Sequence, residues 1–343
     1  MPVVDLRSDT LTMPSPAMRQ AMAQAELGDD VFGEDPTVNR LQEVAAERMG
    51  KEAALFVSSG TMGNLLGVLV NCRAGEELIT EATSHTFLYE AAGAARVGGV
   101  QIMPIVTPDG ILTPEQIKER IRPDDPHHPR TAAVVFENTH NRQGGVAWPL
   151  GALRAAAQMA RDHGLAVHLD GARMFNAALA TGTDVKEIAA CCDTLTFCIS
   201  KGLGAPVGSL FCGSREQIHE AVRLRKMLGG GMREVGVLAA AGLYALDHMV
   251  DRLAEDHSNA RTLAEGLAEL PGMEVDLTRV QTNLVFLRPT RMRAAHLVEQ
   301  LRQLDVLAGA TGPDSVRMVT HYGIEPADIQ QALAACSEVL SAN

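Results

Sequence analysis

VHLDGAR (Val167–Arg173) and TFCISKGLGAPVGS (Thr196–Ser209) are two strand-like runs, each ending in a charged side chain among small residues. The first closes on Asp170 and continues Gly-Ala-Arg. The second closes on Ser200-Lys201 and enters a glycine-rich turn. In an open parallel sheet, ligands sit beyond the carboxyl ends of the strands, so both side chains fall where a site belongs. Taken singly, Asp170 reads as a helix N-cap and Lys201 as a surface lysine. The flanks of Lys201 are apolar or small, however. They leave a desolvated amine close to backbone, which favours its neutral, nucleophilic form. One helix–strand unit separates the two residues, so they can stand at the ends of neighbouring strands.

A carboxylate that pairs with a pyridine nitrogen and an amine that forms an imine are the two groups pyridoxal 5'-phosphate requires of a protein. A phosphate site should accompany them. SSGTMGN (Ser58–Asn64) lies between a strand and a helix start, where free backbone N–H groups and the helix dipole favour an anion. Gly60 lets the backbone come close and Thr61 adds a hydroxyl. Gly229–Gly231 followed by Arg233 reads either as a helix stop or as a cationic clamp.

Outward from these motifs, strand and helix signals alternate. Ala53–Val57, ELIT, QIMPI, AAVVFEN, LAVHLD and TLTFCIS are apolar runs of strand length, with helical patterns such as PLGALRAAAQMARDHG between them. Alternation of this kind predicts an α/β fold with a mostly parallel sheet covered on both faces. Ser15-Pro16 predicts a helix to about Leu27, and Asp35-Pro36 one closed by Gly50. A long helical stretch is expected from about Val235 to Leu270. After it come strand TNLVFLRP, a helix, strand VRMVTH and a last helix. A large unit of residues 1–245 and a smaller C-terminal α/β unit of residues 246–343 are therefore expected. RPDDPHHPRT (Arg122–Thr131) reads as a loop, and its adjacent histidines make it a site candidate.

Composition narrows the classes. Of 343 residues, 46% are hydrophobic, 21% charged and only 3% aromatic, so an aliphatic core is expected. The net charge of -12 argues against nucleic-acid and anionic-membrane partners. MPVVDLRSDT has no basic n-region ahead of an apolar run, so no secretory signal is expected, and no stretch has the length of a membrane span. The six cysteines show no CxxC pair and no metal-ligand spacing; buried thiols in a reducing cytoplasm are expected, and no metal.

DLRSDT, GDDVFGED, SSGTMGN, SHTFLYE, ENTHN, HLDGAR, SKGLGAPVGS, LGGGMR and VRMVTH, in this order along essentially the whole chain, closely resemble the low-specificity L-threonine aldolases. These are fold-type-I pyridoxal phosphate enzymes of the aspartate aminotransferase superfamily, and the resemblance implies a seven-stranded type of central sheet. It also implies a role for each matching residue. Lys201 would be the Schiff-base lysine and Asp170 the partner of the pyridine nitrogen. Arg173 would lie by the phenolic oxygen and near the substrate. His85 would stack on the ring, and Gly60 and Thr61 would hold the phosphate. Arg233 would reach the phosphate from the neighbouring subunit, with Lys226 close to the same interface. Ser8 and Arg317 would hold the substrate carboxylate, and His127 would stand near the β-hydroxyl. Phe32 departs from the pattern, since the family commonly has Tyr there; Tyr89 keeps a family-like aromatic.

The expected activity is reversible cleavage of threonine, allo-threonine and related β-hydroxy-α-amino acids to glycine and an aldehyde. His85, His127 or a water would accept the hydroxyl proton. The resemblance further implies a homodimer with shared sites, assembled as a homotetramer. Another fold-type-I enzyme, such as an aminotransferase or a β-eliminating lyase, shares the Asp and Lys motifs. A cofactor-binding regulator would not need Ser8, His85, His127 and Arg317. A dehydrogenase would need a GxGxxG after the first strand. His168 and His140 read as structural.

Overall fold

The computed structural model describes residues 3–342. Its strands are β1 (Val4–Asp5), β2 (Ala53–Val57), β3 (Glu77–Glu81), β4 (Gln101–Ile105), β5 (Thr131–Glu137), β6 (Ala166–Asp170), β7 (Thr194–Cys198) and β8 (Ser209–Gly213). A second series follows: β9 (Met273–Glu274), β10 (Leu284–Pro289), β11 (Val306–Leu307), β12 (Gly309–Ala310) and β13 (Val316–Val319). The large sheet runs β2-β8-β7-β6-β5-β3-β4. Strands β4, β3, β5, β6 and β7 are mutually parallel, and β8 is antiparallel to both neighbours. Strands β3, β5, β7 and β8 are buried at every position, as expected when helices cover both faces.

The helices begin where the sequence carries caps. Ser15, Asp35 and Ser59 each accept a first-turn N–H, and Pro16 and Pro36 occupy the first helical position. Gly50 closes its helix at φ +62. Two boundaries differ from expectation. The helix opened by Pro16 ends at Ala23 rather than near Leu27, because the chain must turn tightly at Gly28: a Cβ there would meet Glu34 O at 2.2 Å. The long stretch after Val235 is two helices, Gly236–His248 and Leu253–Ala268. They serve different cores: the first packs on the helices Pro16–Ala23 and Pro36–Met49, and the second, beyond Leu253, on the smaller sheet.

Two main cores result. One joins the large sheet to its helices through Phe56, Phe136, Phe197 and Leu253. The other begins at Ala260, collects the aliphatic side chains of β10, β13 and the helix Pro326–Ala342, and also takes in Val4 and Leu6. Strand β1 pairs with β11, so the N-terminal segment is tied to the C-terminal unit. Residue 246 lies inside the helix Gly236–His248. The smaller sheet, β12-β13-β10-β9, is antiparallel. All six cysteines are buried, and none is disulfide-bonded. No helix among the described residues is long and apolar enough to cross a membrane.

Candidate active site

The carboxyl edge of the large sheet gathers the titratable groups. Asp170 ends β6, and Lys201 follows β7 by three residues; Asp170 pairs with Thr196 across parallel strands, so both leave the sheet on one side. His85 opens a short helix four residues after β3, and Glu137 of β5 accepts its backbone N–H at 2.6 Å. The helix Gly60–Asn71 presses against this edge through three glycines at i, i+3 and i+7. A Cβ on Gly60 would stand 2.8 Å from Cys198 Sγ, one on Gly63 2.4 Å from Thr196 Cγ2, and one on Gly67 2.3 Å from His168 Cε1. Only glycine permits that approach. Ser59 caps the helix by accepting from Met62 N, and the first-turn N–H groups at Gly60 and Thr61 point past the helix end, a cradle for a phosphate.

One turn into that helix, Asn64 donates from Nδ2 to Asp170 Oδ2 and to Glu90 Oε1, both at 2.8 Å. Its Oδ1 faces His168 Nε2 at 3.3 Å, and His168 Nδ1 faces Thr194 Oγ1 at 2.9 Å. Asn71 donates to that same Thr194 oxygen. Donor and acceptor roles then follow from one end to the other. Thr194 gives its proton to His168 Nδ1, His168 gives its own from Nε2 to Asn64, and both amide hydrogens of Asn64 serve carboxylates. Burial holds the His168 pKa down at about 4, so the ring is neutral, as this chain requires. Asp170 Oδ1 accepts from Ala172 N at 3.0 Å, which locks the carboxylate at the strand end.

A second cluster lies beside the first. Arg173 sits at the head of the helix Met174–Thr181 and donates from Nε and Nη2 to the two oxygens of Asp9, each at 2.7 Å. Burial would raise the Asp9 pKa, but Arg173, Lys201 and Asn283 outweigh it and hold the carboxyl well below the usual range. Arg317, on β13, donates to Asn141 Oδ1 and to Arg7 O, both at 3.1 Å, while its Nε is buried with no hydrogen-bond partner. Among the described residues Arg317 makes no ion pair. Burial and the positive charge of Arg173 lower its pKa. A half-buried guanidinium with no counter-charge and an unused donor is suited to an anion brought from outside. Ser8 Oγ accepts from Thr10 N and Thr10 Oγ1, leaving the Ser8 hydroxyl proton free to be donated to the same anion.

Other expected residues are not gathered here. His127 is 87% exposed at its side chain, paired with Asp125 at 2.7 Å, on the loop ahead of β5. That loop adjoins residues 163–165, before β6, so it lies at the opposite edge of the sheet. The reason is topological: Asp170 follows its strand, whereas His127 precedes one, a strand length of about 20 Å away. Arg233 is exposed and paired with Asp29 at 2.8 Å. Phe32 is 73% exposed, and Tyr89 stands 5.6 Å from the His85 ring. Sequence reading passed over Asn64, Glu90 and Asp9. All three lie within quoted motifs, but none has a spacing that marks it as a partner of Asp170, His85 or Arg173.

Pyridoxal phosphate fits these residues. A buried, hydrogen-bonded carboxylate, a lysine just beyond the next strand and a glycine cradle at a helix start match the three ends of that molecule, and the fold and site together are those of a fold-type-I pyridoxal phosphate protein. The beta-eliminating lyase family matches residues 5–290, and the chain belongs to it. Over 333 residues it is 47% identical to the low specificity L-threonine aldolase of Escherichia coli K12, covering 97% of this chain and 98% of that one. Its fold is similar to that of Leishmania major threonine aldolase, with TM-score 0.84 at 20% identity over 98% and 99% of the two chains. It is also similar to a structure of SPT with PLP, with TM-score 0.76 at 20% identity over 99% and 88%.

Proposed function

We propose that the chain cleaves threonine, allo-threonine and related β-hydroxy-α-amino acids between Cα and Cβ, giving glycine and an aldehyde, acetaldehyde from threonine, and that it runs the reverse addition. The observation that carries this reading is the pairing of two sites, one at the carboxyl edge of the large sheet and one on the smaller sheet. One is the cofactor set of Asp170 and Lys201. The other is a half-buried Arg317 whose Nε is unused and whose Nη2 bonds to the carbonyl of Arg7, next to Ser8 in the chain. When bound, pyridoxal phosphate supplies an electron sink for the bond that breaks.

The residues of the chain do the rest. Asp170 holds the pyridine end, and Gly60 and Thr61 hold the phosphate. Arg317 and Ser8 fix the substrate carboxylate, with Arg173 braced against Asp9 alongside. Held there, the Cα–Cβ bond can be set perpendicular to the ring. In this reading the hydroxyl proton goes to His85, with His127 of another copy or a water as the alternatives.

The reading includes a homodimer with shared sites, paired into a tetramer. Arg233 and Lys226 would complete the phosphate site of a neighbour, and His127 could approach a substrate only from another copy. Exposed Phe32 and Met227, 73% and 65% accessible, support a covered face near Arg233 and Lys226. We also read residues 1–245 as the cofactor-binding unit and 246–343 as the smaller one, and place the protein in the cytoplasm, which its buried thiols support. Acetaldehyde release from threonine and allo-threonine tests the activity. Lys201→Ala should abolish both the release and the visible absorbance of the cofactor-loaded protein. Absorbance retained at the same wavelength would move the attachment elsewhere. Sedimentation would test the assembly.

A further inference from the structure

We propose that Glu90 is a positioning residue that fixes the tautomer of His85 and so selects Nε2 as the nitrogen facing the substrate. The proposal rests on the functional reading above. His85 Nδ1 stands 2.9 Å from Glu90 Oε1, and the His85 ring nitrogen, a Glu90 oxygen and an Asp170 oxygen all lie within 4.8 Å of one another. Glu90 is 6% exposed, whereas His85 is partly open. Its Oε1 already accepts from Asn64 Nδ2, whose amide is oriented by His168. An oxygen that accepts from Asn64 is an acceptor for His85 as well, so the shared hydrogen belongs to Nδ1. Nε2 then carries the lone pair.

Every charged group near the ring bears on this. Glu90 adjoins on the same segment, Asp170 faces it from β6, Lys201 from beyond β7, and Glu137 of β5 holds its backbone N–H. Burial lowers the His85 pKa, and Lys201 lowers it further. The Glu90 hydrogen bond and the charges of Asp170 and Glu90 outweigh both, so the net direction is up. Burial and Asp170 raise the Glu90 pKa, and the hydrogen bonds from His85 and Asn64 oppose them. In the cleavage step the hydroxyl O–H bond breaks and an N–H bond forms at Nε2. The Cα–Cβ bond breaks as the aldehyde C=O forms, and the cofactor, when bound, would take up the electron pair. The proton on Nε2 then passes to Cα, directly or through a water, and completes glycine. The Glu90 carboxylate stabilises the imidazolium in the meantime, as a carboxylate partner does for a histidine base.

Neutron diffraction of the full-length, cofactor-loaded protein should show a deuteron on His85 Nδ1 shared with Glu90. A deuteron on Nε2 alone would overturn the proposal, and this measurement needs no variant and no turnover. Glu90→Gln keeps the shape and the acceptor but not the charge. It should retain cofactor content and KM within about threefold, while kcat falls about 10–100-fold. The acidic limb of kcat/KM should lie above the ordinary histidine value in the wild type and move down by about one pH unit in the variant. The same substitution made in His85→Asn should have no further effect. An unmoved limb, or an undiminished effect without His85, would refute the assignment. If the wild type binds no pyridoxal phosphate or yields no acetaldehyde, the functional reading fails instead; neutron diffraction of the protein as purified then still tests whether Glu90 holds the deuteron on His85 Nδ1.

Discussion

Gly67→Ala isolates the packing on which the Asp170 site depends. The residue lies inside the helix Gly60–Asn71, where alanine is intrinsically better than glycine by about 0.5–1 kcal/mol. Against this, the new Cβ would stand 2.3, 2.4 and 2.6 Å from three atoms of the His168 ring. Overpacking a full core costs about 1–3 kcal/mol. The ring cannot step aside without loosening its bonds to Thr194 and Asn64, worth about 1 kcal/mol each. The clash therefore wins, and a net loss of about 2–4 kcal/mol is expected. Urea unfolding of the cofactor-free protein measures it. Gly151→Ala, in the helix Leu150–Asp162 where a Cβ meets nothing within 4 Å, serves as the control and should be neutral or gain about 0.5 kcal/mol. Because His168 orients Asn64, Gly67→Ala should also weaken cofactor retention. A Gly67→Ala protein as stable as wild type, with cofactor held as tightly, would refute the idea that the glycine face sets the site.

Asp9→Asn leaves the buried Arg173 short of a counter-charge and should cost about 3–5 kcal/mol in the same assay; an unchanged urea midpoint would mean the pair is not structurally required. If Arg317 holds the substrate carboxylate, Arg317→Leu should raise KM for threonine about tenfold or more, since bonds to charged groups are worth about 1.5–3 kcal/mol. An unchanged KM would take Arg317 out of substrate binding. Burial holds His257 at a pKa of about 4, so it is neutral in the fold, whereas the unfolded chain binds a proton there below about 6.5. Stability from this group is thus present at pH 7 and lost on acidification through 6.5 towards 4. At pH 5 the loss is about 2 kcal/mol. His257→Gln should lessen the pH 7-to-5 decline by that amount, and an equal decline in both proteins would contradict the assignment.

What can be read from the linear chain here is whatever is encoded within a dozen residues. The β/α alternation, the caps at Ser15, Asp35 and Ser59, and the strand-end motifs around Asp170 and Lys201 are all local, and they led to the layered fold and to the cofactor it carries. Alternation did not reveal that β8 would insert antiparallel between β2 and β7, because a fully buried strand reads alike in either direction.

Tertiary structure alone decided the partners. Asp9 meets Arg173 across 164 positions, and Asn64 meets Asp170 across 106. Glu90 meets His85 through a turn whose shape no periodicity announces. The same topology sends His127 to the far edge, for a loop before a strand and a loop after one open on opposite sides of a parallel sheet. Residue type and spacing specify which chemistry a chain can perform. Which acceptor a given proton faces depends on contacts that exist only after the sheet has assembled.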